Sequence, residues 1–316
     1  MNIQSASIVI PTHNSCVNKC PFCVSRTHCN LYQNDISKTN EFEAFKKFGE
    51  LIYSKKQNSI EFRDYFNRLQ FTRNNGCNVA ILTGTGEPPQ NIKFIEFFMN
   101  INETLKLPFE NIEIQTTGVM LDEGIIQHLR QIGLTTMAFS ISNIFNNDRN
   151  LELIDCNENL RFDLEKQIEL VKKYKFNLRL SLNLVNDYDR CSVPEVLHRC
   201  KELGAHQVTF RKLYKSDTNT EIDQWIEENS SKEFYPKLVD YIMGKHDIDP
   251  IVRSGGHGRL IGILPFGAKI WDIDEMSVVL DDDCMNEEVK DTYKYLILRE
   301  DCRLYSKWET KASLIF

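Results

Sequence analysis

Short apolar runs alternate with amphipathic stretches along most of the chain. Residues 6–10 (ASIVI), 79–83 (VAILT), 111–116 (NIEIQT), 136–142 (TMAFSIS), 177–185 (NLRLSLNLV) and 207–213 (QVTFRKL) read as six strands, the fifth with a clean period-two alternation. Between the first two, Phe42, Phe45, Phe48, Leu51 and Ile52 recur at helical spacing and predict a helix over 39–56. Residues 59–75 are polar and read as more helix or an insertion. Further helices are predicted over 92–105, 122–133, 160–174 and 194–204, and over 221–245 with a break around Pro236. Gly133 and Gly204 supply C-terminal stops, and Pro194 opens its helix. Six strand–helix units in succession imply a parallel sheet with right-handed crossovers. Six units are too few for a closed eight-fold barrel. The expected fold class is therefore α/β, a partial (β/α)6 barrel.

The rhythm changes after residue 245. A glycine-rich loop at 254–258 precedes short strands at 260–264, 269–273 and 277–280. A hairpin follows, with arms at 295–299 and 303–308 joined around 300–302. The expected organisation is a core over 1–245 and a small antiparallel-rich extension over 246–316. The extension is expected to cover one end of the barrel and contribute to the substrate site. No internal repeat, low-complexity tract or flexible linker interrupts the pattern.

Composition adds limits. Of 316 residues 41% are apolar and 26% charged, which argues against a disordered or fibrous chain. The net charge of −7 disfavours non-specific nucleic-acid binding, although a local basic patch is still compatible with RNA. No run of 18 apolar residues exists, and the N-terminus lacks a secretory pattern, so the expectation is a cytoplasmic protein with no membrane partner. Ten cysteines in such a chain are thiols or metal ligands more often than disulfides. Three of them, Cys16, Cys20 and Cys23, fall within eight residues directly after the first strand.

Gaps of three and two residues let one loop wrap three soft anionic donors around one centre. On a cubane normally held by four cysteines, three ligands leave one iron open. A structural zinc site closed by Cys29, His13 or His28 is the alternative. Position separates the two: the loop follows a barrel strand, at the face where (β/α) barrels build active sites.

The motif CVNKCPFC after the first strand, the loop Thr83-Gly-Thr-Gly-Glu-Pro88 after the second and the six α/β units together resemble the radical S-adenosylmethionine superfamily, over roughly residues 5–215. The resemblance implies a 4Fe–4S cluster on Cys16, Cys20 and Cys23 whose open iron chelates the amino and carboxylate groups of S-adenosylmethionine. It further implies one-electron cleavage of the sulfonium and hydrogen abstraction by a 5′-deoxyadenosyl radical. A reductase or a flavodoxin- or ferredoxin-type protein is then the expected electron donor. Phe22 fits the family's aromatic position along the adenine; packing beneath the loop is its other reading. Gly84, Thr85, Gly86 and Glu87 resemble the family's Gly-Gly-Glu motif, which holds the methionine amino group. Thr85 stands where that motif has glycine.

By the family's layout Ser140 and Ser142 are candidates for the ribose or the methionine carboxylate, and Gln115, Thr116 and Thr117 end the third strand. Asn183 resembles an Asn-x-Val pattern on the fifth strand of one family branch, with Arg179 and Ser181 on its face. Arg211 meets either a carboxylate or phosphate of a substrate or a structural partner. His257 is a candidate substrate contact in the glycine-rich loop. Asp281, Asp282 and Asp283 read as a cation site or a solvated turn. Cys284 and Cys302 do not form the pattern of members with extra clusters, so one cluster is expected. The expected substrate is a small molecule; Arg211, Lys212, Lys215 and the glycine-rich loop point to a nucleotide or other phosphorylated metabolite. Radical modification of a peptide or protein partner is the alternative, and a zinc-binding structural or regulatory protein is the alternative of another class.

Overall fold

The computed structural model describes residues 2–12, 16–26, 60–216, 219–244, 257–265, 267–281, 292–308 and 310–316. The predicted helix at 39–56, His13, His28, Cys29, Asp282, Asp283 and Cys284 lie outside them.

Six strands alternate with helices as the apolar pattern predicts: β1 (Asn2–Val9), β2 (Val79–Thr83), β3 (Asn111–Thr116), β4 (Thr136–Ile141), β5 (Asn177–Asn183) and β6 (Gln207–Arg211). The described helices are α1 (Ile60–Asn74), α2 (Ile92–Thr104), α3 (Glu123–Gln131), α4 (Asn147–Leu153), α5 (Leu164–Lys173), α6 (Val193–Glu202), α7 (Glu221–Asn229) and α8 (Phe234–Met243). The tail adds β7 (Arg259–Ile263), β8 (Lys269–Ile273), β9 (Met276–Asp281), β10 (Thr292–Leu298) and β11 (Leu304–Tyr305). All eleven form one open sheet in the order β11-β10-β1-β2-β3-β4-β5-β6-β9-β8-β7.

Local chemistry sets the helix ends. Asp122 caps α3 by accepting from the Ile125 N–H, and Gly133 beyond it takes a φ of 102°, open to glycine at no steric cost. Ser192 and Glu195 close a capping box on α6, with Pro194 in its first turn. The break between α7 and α8 falls before Pro236. Asp189 accepts from the backbone N–H groups of Lys232, Glu233 and Phe234 and starts the new helix there. Pro236 then occupies the first turn of α8, where its missing N–H has no intrahelical partner to lose.

The two sheet faces differ sharply. Ile8, Leu82, Ile114, Phe139, Leu180, Phe210 and Val278 are fully buried and join Phe94, Phe98, Ile126, Ile168 and Val196 of the helices in one core. The alternate positions carry Ser7, Glu113, Gln115, Ala138, Ser181 and Thr209. Branched aliphatics usually fill the interior of a packed (β/α) barrel; here short and polar side chains line much of it.

The tail strands join the sheet itself. β9 pairs in parallel with β6, and β10 pairs in parallel with β1, so the tail extends both edges of the sheet. Among the described strand pairs, β7–β8, β8–β9 and β10–β11 are antiparallel. Lys294 of β10 and Asp281 of β9 form an ion pair at 3.6 Å, although the two strands are not neighbours in the sheet.

Candidate functional site

The cysteine loop leaves the C-terminal end of β1 and lies against two other segments. Asn18 makes an antiparallel bridge to Cys156, and Cys20 Sγ donates to the Ile154 carbonyl at 3.5 Å. Ser25 Oγ donates to the Gly84 carbonyl at 3.2 Å, and the Val17 N–H donates to Gln90 Oε1 at 3.3 Å. The same Gln90 oxygen accepts from the Glu87 N–H, so one amide ties the cysteine loop to the loop after β2.

The glycines of that second loop have a measurable reason. A Cβ on Gly84 would stand 2.8 Å from the Ile10 carbonyl oxygen, and one on Gly86 would stand 2.8 Å from Thr12 Cγ2. Both positions are closed to side chains because the chain entering the cysteine loop crosses directly over them. This seats Glu87 beneath that loop. Glu87 is 5% exposed. Its carboxylate accepts from Thr116 Oγ1 at 2.6 Å, Thr117 Oγ1 at 2.8 Å, the Thr117 N–H at 3.2 Å and Asn18 Nδ2 at 3.2 Å. Burial raises its pKa despite those four donors. Asn18 Oδ1, beside it, is buried with no hydrogen-bond partner.

The Cys16 and Cys20 thiols are likewise favoured in their neutral form. Burial pushes Cys16 up to about 11, and the charges of Glu87 and Cys23 add to the effect. Cys20 is raised as well, by burial first and then by Cys23, Glu87 and Cys16. Cys16 and Cys20, whose ionisation burial and neighbouring negative charge oppose, form with Cys23 a donor set that a cationic iron centre would ionise and stabilise. The orphaned Asn18 oxygen beside the Glu87 carboxylate is an acceptor pair suited to an ammonium group. The residues therefore fit both the cluster and the methionine end of the cofactor. Among the described residues no three His, Cys, Asp or Glu side chains gather closely enough for a single metal ion.

Further along the same end of the sheet, Asn183 Nδ2 donates to Ser140 Oγ at 3.1 Å and to Ser142 Oγ at 3.3 Å. The sequence candidates Ser140, Ser142 and Asn183 are thus brought together. Asn150, which the sequence reading missed, fixes them: its Oδ1 accepts from the Ser142 and Asn143 N–H groups at 2.8 and 3.2 Å. Phe22 packs on Trp225 with centroids 5.5 Å apart, beside Ile222 and Ile226 of α7 and Leu213 beyond β6. Arg211 pairs with Asp281 at 3.3 Å. Deeper inside, Arg179 reaches over Ala138 to Glu113 at 2.9 Å and donates twice to Thr209 Oγ1, while Gln115 donates to the other Glu113 oxygen.

His257 is not brought to this group. It stacks on Tyr241 at 4.0 Å in the last turn of α8, and its N–H donates to the Tyr241 carbonyl. Two residues on, Arg259 is in register through Asp272 and Ser277 with Gln207, the first residue of β6. His257 therefore sits at the end of the sheet opposite the cysteines.

The crossing of cysteine and glycine–glutamate loops places the candidate site at one end of a partly open parallel α/β barrel. A family model described as the radical SAM superfamily matches residues 10–200, more than half of the chain, and the chain belongs to that superfamily. No curated protein matches it. Among solved structures, Streptococcus suis SuiB bound to S-adenosylmethionine aligns with a TM-score of 0.55 and 14% identity, covering 96% of this chain and 60% of that one. The native anSMEcpe structure with bound AdoMet and Kp18Cys peptide aligns with a TM-score of 0.55 and 14% identity, covering 96% of this chain and 74% of that one. At these identities the likeness is one of fold. This chain spans only 60% of the SuiB length.

Proposed function

We propose that the protein is a radical S-adenosylmethionine enzyme acting on a small polar molecule. Cys16, Cys20 and Cys23 would hold a 4Fe–4S cluster, which supplies the electron that cleaves the sulfonium. The carrying observation is the Glu87 cradle: a buried carboxylate and an unpartnered Asn18 oxygen directly under the cysteine loop. There the carboxylate and amide receive the methionine ammonium, which offsets the cost of burying Glu87. Gly84, Thr85 and Gly86 carry Glu87 into place. Ser140, Ser142 and Asn183 receive the hydroxyl-bearing part of the nucleoside, and Phe22 lies along the adenine.

The inner sheet face supports the small-molecule reading. Glu113, Arg179, Thr209, Arg211 and Asp281, paired with one another, line it with charges and hydroxyls that a polar substrate can further engage. Arg211 is the proposed substrate anchor, with Asp281 fixing its guanidinium. The extension over 246–316 contributes Asp281 and Lys294 to that wall. A reductase or a flavodoxin- or ferredoxin-type protein is the proposed electron donor. The test is anaerobic incubation of the reconstituted protein with S-adenosylmethionine and dithionite. Dithionite-dependent 5′-deoxyadenosine and methionine in equal amounts are expected; intact S-adenosylmethionine with a loaded cluster would refute the reading.

A further inference from the structure

Arg26 lies three residues beyond Cys23, on the helical turn that follows the cysteine loop, and it is half-buried. Its Nη2 donates to the Cys20 carbonyl at 2.6 Å. Its Nε is buried and has no hydrogen-bond partner. Nε and Nη2 form one edge of the rigid guanidinium fork. The bond to Cys20 therefore turns that edge, with its unused Nε–H, toward the loop that carries the three thiols.

A buried N–H on a charged group costs free energy unless an acceptor meets it. Among the described residues none meets it, and the edge faces the cysteine loop, so the acceptor is assigned to what that loop binds. We infer that Arg26 donates its Nε–H to a sulfur of the cluster on Cys16, Cys20 and Cys23 and thereby raises the cluster's reduction potential. The inference rests on the function proposed above. Its sign follows from charge: reduction adds an electron to an already anionic centre, and a fixed cation with a directed hydrogen bond favours that reduced state. Arg26 acts through the cluster and is a positioning residue, with no contact to the reacting bond required.

The test uses the full chain, reconstituted anaerobically, as wild type, Arg26→Gln and Arg26→Lys. Glutamine keeps a donor for the Cys20 carbonyl but removes the Nε–H and the charge. Arg26→Gln is expected to retain its iron and its S-adenosylmethionine affinity within about twofold. Its midpoint potential, followed by electron paramagnetic resonance, should move to a more negative value. One exchangeable-proton coupling of the reduced cluster, seen by pulsed resonance in H2O against D2O, should vanish. At limiting reductant, 5′-deoxyadenosine formation should slow about tenfold. If Arg26→Gln loads no iron, Arg26→Lys is measured instead and should lose the same coupling. A loaded variant with unchanged potential and coupling overturns the proposal. Loss of iron from both variants also overturns it, by assigning Arg26 to holding the loop through Cys20 alone. A wild-type protein without an iron–sulfur signal refutes the parent reading as well, so the two failures are told apart.

Discussion

The same strands carry two different kinds of information on their two faces. Outward, Ile8, Leu82, Ile114, Phe139, Leu180 and Phe210 are fully buried against the helices. Inward, Ser7, Glu113, Gln115, Ser181 and Thr209 occupy the positions between them. The outward face obeys the hydrophobic effect, and any aliphatic or aromatic side chain of suitable volume satisfies it. The inward face is held by directed bonds: Arg179 to Glu113 and Thr209, Asn183 to two serines, four donors on Glu87. Folding explains the first face, and chemistry has to explain the second, since an apolar interior would cost less to build.

That contrast breaks most completely at the cysteines. Cys20→Ala should abolish 5′-deoxyadenosine formation while leaving the thermal midpoint of the metal-free protein within a few degrees; retained cleavage would remove Cys20 from the ligand set. On the outward face the reverse is expected. Phe139→Ala should cost about 3–5 kcal/mol in urea unfolding, with residual activity tracking the folded fraction. Between these lies the Glu113–Arg179 pair. Glu113→Ala alone should cost about 2–3 kcal/mol, less than a fully dry pair because the Arg179 side chain is 23% exposed. The double change Glu113→Leu with Arg179→Met should recover most of that stability and still depress substrate turnover, which a purely structural pair would not do.

A smaller effect is read from pH. The pKa of Glu87 is raised in the folded protein above its ordinary 4.5. The neutral form is the one the fold favours, so its contribution is complete below 4.5 and is lost as pH rises through the raised value. In metal-free protein, Glu87→Gln should therefore gain stability relative to wild type between acid and neutral pH, with affinity for S-adenosylmethionine reduced after reconstitution. The mildest test is chemical. Alkylation of Cys16 in metal-free protein should be slow at neutral pH and rise toward pH 11, since burial pushes the thiol to about 11.

The sequence made the outward face easy to read. Short apolar runs located β1 to β6, the fifth by its period-two alternation, and Pro194 and Gly204 marked α6 because helix ends are local chemistry. Periodicity does not encode what a strand pairs with. β9 and β10 read as members of an antiparallel tail, yet each joins the parallel sheet at an edge. α4 was missed because only seven residues form it and Asn146, Asn147, Asp148 and Asn150 mask its apolar positions. Among the candidate residues, Cys16, Cys20 and Cys23 stood out by their spacing, and Glu87 by the resemblance of its loop to the family motif. Asn18, Asn150 and Arg26 were not, because each gains its meaning from a contact distant in sequence or from an unmet bond. His257 shows the converse. A glycine-rich loop reports freedom of the backbone but not which end of the sheet the chain has reached.

The central claim is that three thiolates leave one iron free for the methionine end of S-adenosylmethionine beside Glu87 and Asn18. Electron–nuclear double resonance on the reduced protein with S-adenosylmethionine carrying 15N in the amino group and 17O in the carboxylate reads this directly. Hyperfine couplings to both labels are expected in wild-type protein, with the 15N coupling altered in Glu87→Gln. A reduced four-iron signal with neither coupling would contradict the account.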